Sequence, residues 1–174
     1  MTGASSGIGK ATAIECAKLG ASVIIVGRNE ERLNDTFNQL DKSYNQEHIA
    51  IVSDLSTIEG IEKVISESPA LDGVVSNAGR PMNNIPIKFV KDQEMMDMFQ
   101  MNTYSHFIMA KLLFKKKILN KNCSYVFTSS IGGTLTYGAG CAVYGMTKSA
   151  VNTFSKYAAL EFSSRGIRCN SVYD

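Results

Sequence analysis

The 174-residue sequence contains no C-x-x-C pair and no long block of like charge. No apolar run approaches the roughly 20 residues that a membrane-spanning helix needs. Each absence excludes a class of protein. Cys16, Cys123, Cys141 and Cys169 are scattered along the chain. That spacing suits neither a zinc site nor a disulfide framework, and reads as small buried residues in a reducing compartment. The net charge is only +2, and the longest cationic run is Lys115-Lys116-Lys117. The run reads as a solvated helix face, so no nucleic-acid partner is expected. Histidine is scarce too, and His48 and His106 are both expected to be packing or surface residues. There is no internal repeat, linker or low-complexity segment. The chain opens directly on glycines, which leaves no room for a signal peptide, and the expected location is the cytoplasm.

What is present is an ordinary globular composition, 44% hydrophobic and 20% charged. The length suits a single domain with a real core. Apolar, β-branched runs at residues 21–26, 48–53, 71–76, 123–128 and 167–172 read as strands. Helical segments separate them at 10–19, 30–40, from 56, 91–119 and 142–164. Ser56-Thr57-Ile58-Glu59 has the form of a capping box opening the third of these helices. Strand–helix alternation throughout predicts an α/β, doubly wound, Rossmann-type parallel sheet with helices on both faces.

The chemistry concentrates in Tyr144-Gly145-Met146-Thr147-Lys148, with Ser130 upstream at the tip of a strand. Four residues make about one helical turn, so Tyr144 and Lys148 stack on one face. A phenol of pKa ~10 is a poor acid or base at neutral pH, and a nearby cation draws it toward the working range. By itself this spacing occurs in many helices by chance. Upstream, Thr2-Gly3-Ala4-Ser5-Ser6-Gly7-Ile8-Gly9 feeds a helix directly. A glycine-rich turn at a helix N-terminus is either a tight turn or an anion site, where free N–H groups and the helix dipole meet a phosphate. The G-x-x-x-G-x-G spacing departs from the usual dinucleotide fingerprint. After the next strand come Gly27-Arg28-Asn29. Where a dinucleotide fold places an acidic residue for the ribose hydroxyls, this chain has Gly27 and then Arg28. A guanidinium suits a 2′-phosphate, which favours NADP(H) over NAD(H); otherwise Arg28 is a surface residue. Asp54-Leu55 closes the following strand, Asp54 serving as a turn residue or as an acceptor for an adenine amino group. Asn77-Ala78-Gly79 is a β-turn or a place of close approach to a cofactor. Asn102, a poor helix former inside a Met-rich helix, is either exposed or employed in hydrogen bonding.

In this order and at these separations the motifs resemble the short-chain dehydrogenase/reductase family, in its single-domain subgroup. Thr2-Gly3 with Gly7 and Gly9, and with Ser5, Ser6 and Ile8 between them, matches the cofactor loop. Asp54-Leu55 matches the adenine-contacting pair and Asn77-Ala78-Gly79 the motif closing the fourth strand. Asn102, Ser130, Tyr144 and Lys148 match the catalytic tetrad. Asn170-Ser171-Val172 matches the start of a later motif. The resemblance implies that Tyr144 exchanges a proton with a carbonyl or alcohol oxygen and that Ser130 holds that oxygen. It implies that Lys148 lowers the tyrosine pKa and binds the nicotinamide ribose, and that Asn102 anchors a water in a proton relay. Arg28 and Asn29 fall at the adenosine end of the cofactor. A homodimer or homotetramer through helices 91–119 and 142–164 is also implied. Against the family pattern, the opening strand and a C-terminal substrate segment are missing, so 1–174 is expected to be one dinucleotide-binding domain incomplete at both ends. Two alternatives stand beside the NADP(H)-dependent oxidoreductase: an inactive fragment acting through weak cofactor binding or association, and a nucleotide-sugar epimerase or dehydratase. The last is disfavoured by the glycine spacing.

Overall fold

The computed structural model describes residues 1–81 and 84–173. Its elements are α1 (Gly7–Lys18), β1 (Ile24–Gly27), α2 (Glu30–Phe37), β2 (Ile49–Val52), α3 (Ile58–Ser66), β3 (Leu71–Ser76), α4 (Asp92–Phe99), α5 (Ser105–Lys115), β4 (Leu119–Ser129), α6 (Ala142–Phe162) and β5 (Arg168–Tyr173). All strand pairs are parallel, β1 with β2 and β3 with β4 with β5. Parallel neighbours need long crossovers, and the helices supply them. The architecture is the expected Rossmann-type α/β sheet.

The two parts of the sheet meet at the first two residues. Thr2 forms a parallel bridge with Val26, and its N–H donates to the Val75 carbonyl at 3.0 Å. The Met1 carbonyl accepts from Val26 N–H at 3.0 Å. Residues 1–2 therefore lie between β1 and β3, and the chain order reverses there. Open α/β sheets place ligands at such a switch point, at the carboxyl ends of the strands.

Period-two alternation decides which side chain goes to which layer. In β1, Ile24 and Val26 face the cluster under α3, α5 and α6, while Ile25 joins Ala13, Ala17 and Leu33 under α1 and α2. In β2, Ile49 and Ile51 take the first side, and Ala50 and Val52 the second. Along β4, Leu119, Cys123, Tyr125 and Phe127 all enter the larger cluster. The Tyr125 and Phe127 rings stack at 4.4 Å. Burying side chains of this size contributes about 1.5–3 kcal/mol each, which holds the sheet to its helices.

Four local expectations need correction. The helix expected over 91–119 is α4 and α5 joined by a π-helical turn, Gln100–Tyr104, and it ends at Lys115. A turn follows, and Leu119 instead begins β4, four residues before the apolar run that suggested a strand. The first helix starts at Gly7, so Gly7, Ile8 and Gly9 form its first turn rather than preceding it. The capping box does not form: Thr57 caps α3 by accepting from Gly60 N–H, and Ser56 binds Asp54 instead. The turn is tight enough to need glycine at its end, because a Cβ on Gly60 would lie 1.9 Å from the Asp54 carbonyl oxygen.

Candidate functional site

At the carboxyl ends of β1, β2, β3 and β4 lies an open cleft of about 770 Å³. Its floor is the glycine-rich turn. Gly3 takes the left-handed conformation at φ +67°, and a Cβ on Gly9 would sit 2.3 Å from the Gly3 carbonyl oxygen. Both positions need glycine for a reason the sequence motif only implied. Ser6 precedes α1 in extended conformation and makes no side-chain cap bond. The first-turn N–H groups thus face the cleft beside Gly3, Ser5, Ser6 and Ile8, the arrangement that receives an anion.

Arg28 and Asn29 line the cleft from the end of β1. Asn29 also caps α2, its Oδ1 accepting from Arg32 N–H at 2.8 Å. Arg32 and Arg80 line the same space and went unrecognised in the sequence. A signal for Arg32 existed: a cation in the first turn of a helix opposes the helix dipole unless an anion joins it. Leu55 is buried and lines the cleft next to Ser53. Asp54 is exposed and does not line it. Burial acts to raise the Asp54 pKa but is outweighed by hydrogen bonds from the Ser56 amide and hydroxyl and by the Arg28 charge. Its carboxyl is therefore held below the usual range.

Asn77, Ala78 and Gly79 form the central wall. Thr2 reaches them from the sheet switch point: its Oγ1 accepts from the N–H groups of Asn77 and Ala78, both at 2.9 Å. The Asn77 Oδ1 accepts from Thr128 Oγ1 at 3.1 Å. Asn102 is fully buried behind this wall and holds both sides of the Arg80 peptide group, accepting from its N–H and donating to its carbonyl at 2.9 Å each. Of the two roles open to Asn102, hydrogen bonding is the one observed. Asn102 lies in the π-helical turn, a local widening frequent where a helix carries a functional side chain.

Tyr144 and Lys148 form the far end of the cleft, the Lys148 Nζ lying 5.8 Å from the Tyr144 ring centroid. Lys148 is only 4% exposed, and its Nζ donates to the Thr128 carbonyl at 2.8 Å. A second bond, Ser129 Oγ to the Lys148 carbonyl at 3.0 Å, ties β4 to α6 at the same level. Ser130 directly follows β4 and is buried, its Oγ accepting from Gly132 N–H at 3.3 Å. It lies outside the cleft lining, as do Thr2, Gly7, Gly9 and Asn102. Thr2, Gly9 and Asn102 act on the cleft through the backbone they shape. His106, expected to be a packing or surface residue, is buried, with Nε2 2.8 Å from the Ala78 carbonyl oxygen. Burial, and secondarily the Lys148 charge, lowers its pKa to about 4, against the opposing effect of the Ala78 hydrogen bond. His48 is a packing residue: its Nδ1 accepts from Val23 N–H at 3.1 Å, and its ring meets Phe37 edge-on.

Among the described residues no cluster of His, Cys, Asp and Glu is fit to hold a metal, and no helix is long and apolar enough to cross a membrane.

Comparison with known proteins places this geometry. The model of the short chain dehydrogenase family matches residues 1–173. The chain is 36% identical over 172 residues to 3-oxoacyl-[acyl-carrier-protein] reductase FabG of Rickettsia prowazekii, covering 99% of this chain and 69% of that protein. It is 30% identical over 181 residues to the uncharacterized oxidoreductase YciK of Escherichia coli K12, with 99% and 70% covered. Among solved structures, a short chain dehydrogenase of Burkholderia cenocepacia in complex with NADP superposes with a TM-score of 0.91 at 24% identity, covering 99% of this chain and 71% of that one. The chain belongs to the short chain dehydrogenase family, whose members are NAD(P)-dependent oxidoreductases acting on CH–OH and C=O groups.

The depressed His106 pKa carries a stability consequence. An unfolded histidine titrates near ~6.5, so between that pH and about 4 the unfolded chain binds a proton that the native protein refuses. The contribution is fully present above pH ~6.5 and is lost as pH falls toward the folded-state value, on the order of 3 kcal/mol in all. Denaturant melts at several pH values between those limits are expected to show a shallower loss for His106→Gln than for the wild type. Parallel curves would refute the assignment.

Proposed function

We propose that this chain, as a single dinucleotide-binding domain, binds NADP(H) in the cleft and interconverts a carbonyl and a secondary alcohol by hydride transfer. The observation that carries the reading is the convergence, at one sheet switch point, of a capless helix N-terminus, three arginines and the Tyr144–Lys148 pair. The residues fit the cofactor. The turn at Gly3–Ser6 and the start of α1 would receive the pyrophosphate, Leu55 the adenine side, and Asn77, Ala78 and Gly79 the nicotinamide ribose. Arg28 and Asn29, with Arg32, favour the 2′-phosphate and hence NADP(H) over NAD(H).

The cofactor, when bound, supplies the hydride-carrying carbon. Tyr144 acts as general acid toward a carbonyl oxygen, or as base toward an alcohol. Lys148, buried and fixed on the Thr128 carbonyl, presents its charge behind the phenol and favours phenolate. Ser130 holds the reacting oxygen, and Asn102 supports the wall through Arg80. The FabG relatives act on 3-oxoacyl groups by name, so a 3-oxoacyl thioester is the first substrate to try. A second reading, nucleotide binding without turnover, rests on the 69% of the relatives' length that the chain spans.

Tyr144→Phe is expected to lower kcat by roughly 10²–10⁴-fold while leaving the NADPH dissociation constant nearly unchanged. Equal turnover in that variant would remove Tyr144 from its role, and a wild type that binds NADPH but turns nothing over would favour the second reading. Arg28→Ala is expected to weaken NADPH about tenfold or more and NADH little, because only NADPH carries the phosphate. An unchanged NADPH/NADH ratio would remove the cofactor preference.

Exposed Tyr104, Phe107, Tyr157 and Leu160 on the helical segment around α5 and on α6 support self-association as a homodimer or homotetramer through that face. Sedimentation velocity at micromolar protein is expected to give a species larger than the monomer, and a monomer there would count against it.

A further inference from the structure

One buried titratable side chain takes no part in the chemistry above. His106 is the second residue of α5 and is 1% exposed. A carbonyl oxygen can only accept, so the contact to Ala78 at 2.8 Å fixes the proton on Nε2. The neutral ring then has a bare lone pair on Nδ1, which is buried and has no hydrogen-bond partner among the described residues. An unpaired buried nitrogen is destabilising, and a leucine or phenylalanine would fill similar space without that cost. What histidine adds is a single N–H aimed at the Ala78 carbonyl. Burial, with the Phe127 ring 6.4 Å away, and secondarily the charge of Lys148 on α6 keep the imidazole neutral.

Ala78 is the middle of the cleft wall. Thr2 holds its N–H, His106 its carbonyl, and Asn102 the peptide group of Arg80 two residues on. We propose that His106 is a positioning residue for the nucleotide cleft, locking the Ala78 carbonyl to α5 in its neutral Nε2–H tautomer so that the wall at Asn77–Gly79 keeps the shape the cofactor requires. This rests on the cleft being the NADP(H) site.

The test is a titration of wild type, His106→Leu and His106→Gln with NADP⁺, each with a thermal melt. Folded His106→Leu is expected to raise the NADP⁺ dissociation constant about tenfold, and His106→Gln, whose amide N–H reaches the same carbonyl, to recover most of that loss. Unchanged binding in folded His106→Leu overturns the proposal, and so does an equal loss in both variants. Imidazole ¹⁵N spectra of the wild type keep the question open to refutation should a variant fail to fold. They are expected to show the neutral Nε2–H tautomer from roughly pH 5.5 to 8 and a shift of that resonance on adding NADP⁺. Titration near the ordinary histidine value, an Nδ1–H tautomer, or indifference to NADP⁺ overturns it. A wild type that binds neither NADP⁺ nor NADPH overturns the functional reading itself, and this proposal with it.

Discussion

Thr2 carries more of this structure than its size suggests. Its amide closes the gap between β1 and β3, and its hydroxyl is the acceptor for two consecutive N–H groups of the cleft wall. A buried backbone N–H without a partner costs about 1–3 kcal/mol, so two of them on one oxygen make the turn at Asn77 and Ala78 dependent on that hydroxyl. The glycine turn, the wall and the end of β4 are all referred to this point. Thr128 reaches Asn77 from β4, and Lys148 reaches Thr128 from α6. The chain of contacts thus runs from the sheet switch point to the ammonium that faces Tyr144.

Lys148 shows how the fold resolves a conflict. A buried ammonium is costly, and burial alone drives a lysine toward its neutral form. The Thr128 carbonyl at 2.8 Å and the Tyr144 ring offset that cost at the far end of the cleft. The ammonium is fixed by backbone from β4 and borne by α6. Its position therefore depends on how the two elements pack, and Ser129 Oγ and Ser149 Oγ stitch that packing by donating to the Lys148 and Gly133 carbonyls. Gly133 lies so close to α6 that a Cβ would come within 2.7 Å of Ser149 N. The turn carrying Ser130 is pressed onto the helix carrying Tyr144.

Much of this was legible from residues alone. Continuous apolar runs at 24–26 and 49–52 mark strands with two buried faces, and the structure divides their side chains between two clusters. The glycine turn, the arginine after β1 and the Tyr144–Lys148 spacing each reflect local chemistry, and all three line one cleft. The errors fall where local preference met tertiary packing. Residues 91–119 have helical periodicity throughout, yet the hydrogen bonds that Asn102 makes to Arg80 accompany a wider turn in the middle. Ser56 and Glu59 fit a capping box, yet the Ser56 hydroxyl donates to Asp54 Oδ1 and Thr57 takes the cap.

The sequence by itself determined the class of fold and the identity of the chemical groups, because periodicity, glycine spacing and side-chain type are properties of neighbouring residues. Only the tertiary structure decided that Arg32 and Arg80 share the cleft with Arg28, that Asp54 lies outside its lining, and that His106 holds the Ala78 carbonyl. Those facts depend on which residues of distant segments meet across the sheet, and no local pattern in one segment encodes its partner's position.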